Sequence, residues 1–208
     1  MLILYNISMK EFYYLIDNIN NYSDYNFKEF LNEIKPYKKN RIQKILKESD
    51  QKRTILGEML LIKGLKKYFN IDYASVDIIQ NDDGKPYIAN KPIFFNISHS
   101  FDYCICVFAT QEIGVDIEKH RFLKYDIRNY ICSSEELKQL GNRNINTFNI
   151  FTAKEAYIKM KNLKLFDIKN VGLEFKNNII YYVDKNVLCF FINLISNYSI
   201  AVCIKKTI

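Results

Sequence analysis

No stretch of this 208-residue chain approaches the roughly 20 consecutive apolar residues that a helix needs to cross a bilayer, so no membrane-spanning segment is expected. The apolar start, Met1-Leu2-Ile3-Leu4-Tyr5, is too short for a secretory signal and runs into polar residues. No GxxxxGK[ST] loop is present, which removes the commonest phosphate-binding solution. The five cysteines, Cys104, Cys106, Cys132, Cys189 and Cys203, form neither a CxxC pair nor a metal-ligand cluster; buried, reduced thiols in a cytoplasmic protein are expected. The chain has no Pro/Gly/Ser-rich linker, no convincing internal repeat and only two histidines. It holds 16 Tyr and 15 Phe but no basic run interleaved with aromatics, so nucleic-acid binding is not expected.

What the chain does have is a basic excess, 30 Lys and Arg against 23 Asp and Glu, for a formal charge of +7. That balance suits an anionic partner such as a nucleotide or an acidic protein. Lys, Asn, Ile and Tyr are abundant throughout, so part of the basicity is compositional background. The length allows one large domain or two small ones, with a sizeable core in either case.

Apolar residues at Ile55, Leu56, Met59, Leu60, Ile62, Leu65 and Phe69 predict a helix over 50–69, capped by Ser49 or Asp50. Asn81 to Pro86 is a turn signal; 93–97, 103–109 and 113–117 read as strands, the first two linked by Ser98 to Asp102. Ser133-Ser134-Glu135-Glu136 has the form of a capping box opening a helix through Leu140. Residues 147–160 predict a longer helix with Phe151, Glu155 and Lys159 on one stripe. Four strands follow, over 171–176, 179–183, 187–194 and 198–204, making the chain α+β.

Three carboxylates stand out. Asp116 and Glu118 lie in Gly114-Val115-Asp116-Ile117-Glu118-Lys119, where alternation with Val115 and Ile117 aims both acids to one side of a half-buried strand. Two acids so placed repel, and a hard cation such as Mg2+ takes oxygen ligands of this kind. Glu155 offers a third ligand or a base. A solvated sheet edge would carry the same alternation, and Glu155 with Lys159 also fits an ordinary i,i+4 helix pair.

Read in order, Gly84-Lys85-Pro86, Phe95-Asn96-Ile97-Ser98-His99-Ser100, Gly114 to Lys119 and Phe151-Thr152-Ala153-Lys154-Glu155-Ala156-Tyr157-Ile158-Lys159 resemble the 4'-phosphopantetheinyl transferases of the Sfp type, over about 38–159. The resemblance implies an α+β, 4'-phosphopantetheinyl transferase-like fold. Two similar α/β halves, 1–110 for nucleotide contacts and 111–208 for metal carboxylates and carrier docking, would be related by a pseudo-twofold axis and share one core, with the active site in the cleft between them. It implies transfer of phosphopantetheine from coenzyme A to a serine of an apo acyl or peptidyl carrier protein, with release of adenosine 3',5'-bisphosphate. Mg2+, or Mn2+ in its place, would be held by Asp116, Glu118 and Glu155, with Asp116, Glu155 and Lys159 as the catalytic set and Glu155, directly or through a metal-bound water, accepting the serine proton. Coenzyme A would be gripped by Lys38, Arg41, Arg53, Thr54, Lys85, Ser98, His99, Lys154 and Lys159. A monomer, acting without membrane or nucleic acid, is expected. His120 has no motif support and reads as surface.

The chain departs from that pattern in two places. Asp116 and Glu155 are 39 positions apart, a short interval for this type, with the trimmed part around Gly141 to Asn146. Phe151 stands where many relatives carry tryptophan, a substitution that keeps aromatic packing. The competing reading is a non-catalytic relic that binds coenzyme A or a carrier protein. Such a relic is expected to have lost one of Asp116, Glu118, Glu155 or Lys159, and all four are present.

Overall fold

The computed structural model describes residues 12–80, 85–141, 145–176 and 179–206. The chain divides after Thr110 into two compact units. The first runs through β1 (Tyr13–Asn18), α1 (Asp24–Glu33), α2 (Pro36–Gln43), α3 (Glu48–Phe69), β2 (Ile78–Gln80), β3 (Pro86–Ile88), β4 (Phe94–Ser100) and β5 (Tyr103–Ala109). Strand β5 is the middle of an antiparallel sheet ordered β1-β5-β4, and its continuous apolar run from Cys104 to Ala109 is buried throughout. Helix α3 supplies the apolar stripe that covers the sheet, with Leu56, Leu60, Leu61 and Leu65 all at 0% exposure. Its Gly64 lets the helix meet Phe108 of β5, since a Cβ there would lie 2.1 Å from the ring.

The helix begins earlier than its apolar spacing suggests. Lys47 is the N-cap and makes no side-chain capping bond, so neither Ser49 nor Asp50 is the cap. Glu48 and Asp50 sit in the first turn, where the amide dipoles favour negative charge. Strand β4 also continues past Ile97, because Ser98, His99 and Ser100 pair in the ladder with Ile105, Cys104 and Tyr103. The link to β5 shrinks to Phe101 and Asp102, with Phe101 in the left-handed region at φ 52°. Pro86 opens β3 opposite Gln80, a strand start where a missing N–H is tolerated. The turn expected over Asn81 to Gly84, and residues 142–144 of the shortened interval, lie outside the described residues.

The second unit holds β6 (Ile113–Lys119), α4 (Arg128–Ile131), α5 (Ser134–Leu140), α6 (Thr147–Lys161), β7 (Leu173–Lys176), β8 (Ile179–Tyr182), β9 (Val187–Phe191) and β10 (Tyr198–Lys205). Its antiparallel sheet is ordered β6-β10-β9, and β7 pairs with β8. Helix α5 opens on the capping box of Ser133 and Glu136. Each unit has its own cluster of buried apolar side chains, around Leu56, Leu60 and Phe108 in the first and Ile150, Ala156 and Leu173 in the second. Cys104, Cys106, Cys132 and Cys203 are buried thiols and Cys189 is half-buried. No helix among the described residues is long and apolar enough to cross a membrane.

Candidate functional site

Period two puts Gly114, Asp116 and Glu118 of β6 on one face, and helix α6 lies against that face. A Cβ on Gly114 would sit 2.1 Å from the Ala156 carbonyl oxygen and 2.5 Å from the Met160 nitrogen, so helix and strand meet backbone to backbone. That approach carries Glu155 and Lys159 toward the two acids. Lys159 Nζ donates to Asp116 Oδ1 at 2.6 Å, and Arg121 Nη1 donates to Glu118 Oε2 at 2.9 Å. Asp116 is only 4% exposed, and Val115 and Ile117 are fully buried, so the strand is covered on both faces as far as Ile117 and is no solvated edge.

Glu155 is half-buried, and its carboxyl is held above the usual carboxylate range, first by burial and then by the negative charge of Asp116; Lys159 opposes this and Glu118 adds to it. Glu155 therefore feels both of the other acids. Among the described residues, no three His, Cys, Asp or Glu side chains are gathered closely enough to hold a metal ion. The donor set, three carboxylates with hard oxygens and mutual repulsion, still fits a hard divalent cation in chemistry and in charge.

Lys154, one position before Glu155, is placed quite differently. It is 0% exposed, and its ammonium donates to Glu136 Oε2 at 2.8 Å, Val171 O at 2.8 Å and Ile168 O at 3.2 Å. Its three protons are all engaged, so Lys154 is a structural pin and not the coenzyme A contact expected from its motif. Burial lowers its pKa, and Glu136 works against that shift. Glu136 in turn accepts from the Ser133 and Leu173 backbone N–H groups, tying α5, α6 and β7 together.

His120 is not the surface residue its lack of a motif suggested. The ring stacks on Phe148 with centroids 5.0 Å apart, and Nε2 lies 2.8 Å from Ser199 Oγ. The single serine proton is committed to Asn149 Oδ1, so Nε2–H is the donor to the serine oxygen and Ser199 is not activated as a nucleophile. Burial depresses the His120 pKa, which favours this neutral form.

In the first unit, a cavity of about 310 Å³ is walled by Lys38, Arg41, Thr54, Glu58, Gln80 and Pro86, over the apolar side chains of Ile42 and Ile45. Pro36 at the first position of α2 starts the helix that brings Lys38 and Arg41 there, one turn apart. Lys38 is already paired, donating to Glu58 Oε1 at 2.5 Å, and Tyr73 Oη donates to Glu58 Oε2 at 3.3 Å. Thr54 Oγ1 donates to the Asp50 carbonyl at 2.8 Å.

Other expected coenzyme A contacts lie apart from the cavity wall. Arg53 donates to the Phe101 carbonyl at 2.8 Å and pairs with Asp50, so it clamps the β4–β5 link to the start of α3. Lys85 is half-buried, next to the wall residue Pro86. Ser98 is buried and His99 exposed, because consecutive strand residues point to opposite faces. Glu58 escaped the sequence reading, although an acid inside Leu56-Gly57-Glu58-Met59-Leu60 signals a buried charge that needs a partner, and Glu136 was read only as part of a capping box.

A family model described as the 4'-phosphopantetheinyl transferase N-terminal region matches residues 21–112, and that of the 4'-phosphopantetheinyl transferase superfamily matches residues 112–203. Among relatives, 4'-phosphopantetheinyl transferase Sfp of Bacillus subtilis strain 168 is 29% identical over 138 residues, which span 64% of this chain and 62% of that protein. A second 4'-phosphopantetheinyl transferase of Bacillus subtilis is 29% identical over 178 residues, 80% of each chain. The 4'-phosphopantetheinyl transferase gsp of Aneurinibacillus migulanus is 32% identical over 115 residues, 53% of this chain and 48% of that one.

Proposed function

We propose that this chain, which belongs to the 4'-phosphopantetheinyl transferase superfamily, moves the phosphopantetheine arm of coenzyme A onto a serine of an apo acyl or peptidyl carrier protein. The observation that supports this reading most directly is the backbone contact at Gly114, which lays Glu155 and Lys159 of α6 against the face of β6 that carries Asp116 and Glu118.

In this reading Asp116, Glu118 and Glu155 hold Mg2+. Bound there, the ion neutralises charge on the coenzyme A diphosphate during phosphoryl transfer. Glu155 takes the proton of the carrier serine, directly or through a metal-bound water. The serine oxygen forms the new bond to the β-phosphorus, the bond from that phosphorus to the α-phosphate oxygen breaks, and adenosine 3',5'-bisphosphate leaves. Lys159 supplies positive charge to the leaving group or diphosphate. The first unit contributes Lys38, Arg41 and Thr54 as the grip on the 3'-phosphate, at the cavity they wall.

The test is intact-mass measurement of an apo carrier protein after incubation with this chain, coenzyme A and Mg2+, with a chelator control. A chelator-sensitive gain of one phosphopantetheine is expected. No gain across acyl and peptidyl carriers, with folded protein that binds coenzyme A, would sink the reading.

A further inference from the structure

Helix α3 buries a carboxylate in an otherwise apolar turn. Glu58 is 7% exposed between Gly57 and the buried Met59, Leu60 and Leu61. An isolated buried carboxylate is unfavourable, and this one is held from two sides: by the Tyr73 hydroxyl, itself 5% exposed, and by the Lys38 ammonium. Lys38 comes from α2 on a flexible four-carbon stem and would otherwise sample many rotamers. Thr54 and Glu58 are one turn apart on α3 and both wall the cavity, so the helix that fixes the lysine also forms the wall in which it stands.

We propose that Glu58 is a positioning residue, holding the Lys38 ammonium at the cavity wall and thereby setting a preference for nucleotides that carry a 3'-phosphate. This rests on the reading of the cavity as the 3'-phosphate grip. Two effects of the carboxylate oppose each other: it orients Lys38, and its charge repels an incoming phosphate. Orientation dominates here because the ammonium, within hydrogen-bond distance of Glu58, stands between the two anions and shares its remaining donors with the ligand.

The full chain would be titrated calorimetrically with adenosine 3',5'-bisphosphate and with adenosine 5'-monophosphate, the ratio of affinities giving the 3'-phosphate preference. Glu58→Ala is expected to cut that ratio about tenfold, the scale of one charge-assisted hydrogen bond, while affinity for the monophosphate stays nearly constant. Glu58→Gln is expected to restore most of it, since its amide oxygen accepts from Lys38 and its amide nitrogen donates to Tyr73. Lys38→Met should lose the preference, with no further loss in the Lys38→Met, Glu58→Ala double variant.

A loss of general packing would instead weaken both nucleotides together and lower the melting temperature, and that pattern overturns the proposal. So does a Glu58→Ala protein whose preference is unchanged or higher, which would make the carboxylate a repelling wall. A wild-type chain indifferent to the 3'-phosphate removes the reading of the cavity itself, whether or not carrier modification is observed.

Discussion

Helix α6 makes two lysine–carboxylate pairs five residues apart. Lys154 and Glu136 are sealed, with side chains 0% and 3% exposed, and backbone carbonyls and amides take up what the pair leaves over. Lys159 and Asp116 are half-open at 30% and 6%, and beside them burial, then the charges of Asp116 and Glu118, hold the Glu155 carboxyl above its usual range. The chemistry of the two pairs is the same, and their surroundings separate them. A lysine whose protons are all engaged inside a core has nothing to give a ligand, whereas one that balances crowded acids near the surface can exchange that partner for another.

The contrast can be broken first at the half-open pair. Asp116→Ala is expected to lower phosphopantetheine transfer at least about a thousandfold, the equivalent of about 4 kcal/mol of transition-state stabilisation, while far-ultraviolet circular dichroism stays that of the parent. Measurable transfer near the parent rate would remove Asp116 from the catalytic set. At the sealed pair the loss should fall on stability instead. Lys154→Met leaves the Glu136 charge buried without its cation and is expected to cost about 3 kcal/mol in denaturant unfolding, part of it recovered by adding Glu136→Gln. A midpoint unchanged from the parent would mean that the lysine is not the pin its contacts describe.

Gly114→Ala tests the contact on which the half-open pair depends. Its new methyl group meets helix backbone, which cannot rotate away, so a loss of about 2 kcal/mol with a parallel fall in transfer is expected. The smallest effect concerns pH in chelator-treated protein. Because the folded state raises the Glu155 pKa above its ordinary value of 4.5, it holds that proton more tightly than the unfolded chain, and stability is lost as pH rises from 4.5 through the raised value. Glu155→Gln cannot charge, so it should melt with the parent below that window and above it at neutral pH. Equal melting at both ends would mean that neither burial nor the neighbouring acids raise the Glu155 carboxyl.

Much of this was written in local pattern. The alternation of Val115, Asp116, Ile117 and Glu118 and the stripe of Phe151, Glu155 and Lys159 are short-range signals, and strand and helix follow them. Lys154 was misread because its environment comes from Glu136, Ile168 and Val171, 18, 14 and 17 positions away, and no window along the chain holds all four. Ser98 and His99 were read as part of a link, because the ladder that makes them strand is completed by Ile105 and Cys104 across the hairpin. Strand β1 and helix α1 passed unnoticed in a Tyr- and Asn-rich stretch, since β1 is fixed by its pairing with β5, nearly ninety positions later.

The sealed lysine also acts mechanically on the open one. At about 100° per residue, five positions turn a helix roughly 140° past one full revolution, so Lys154 and Lys159 leave α6 on well-separated sides. Anchored by Glu136 and by the carbonyls of Ile168 and Val171, the helix is keyed like a shaft in a slot and cannot roll about its axis. The crowding of Glu155 by Asp116 and Glu118 therefore finds no relief in rotation, and in the proposed reading a bound cation would be what relieves it.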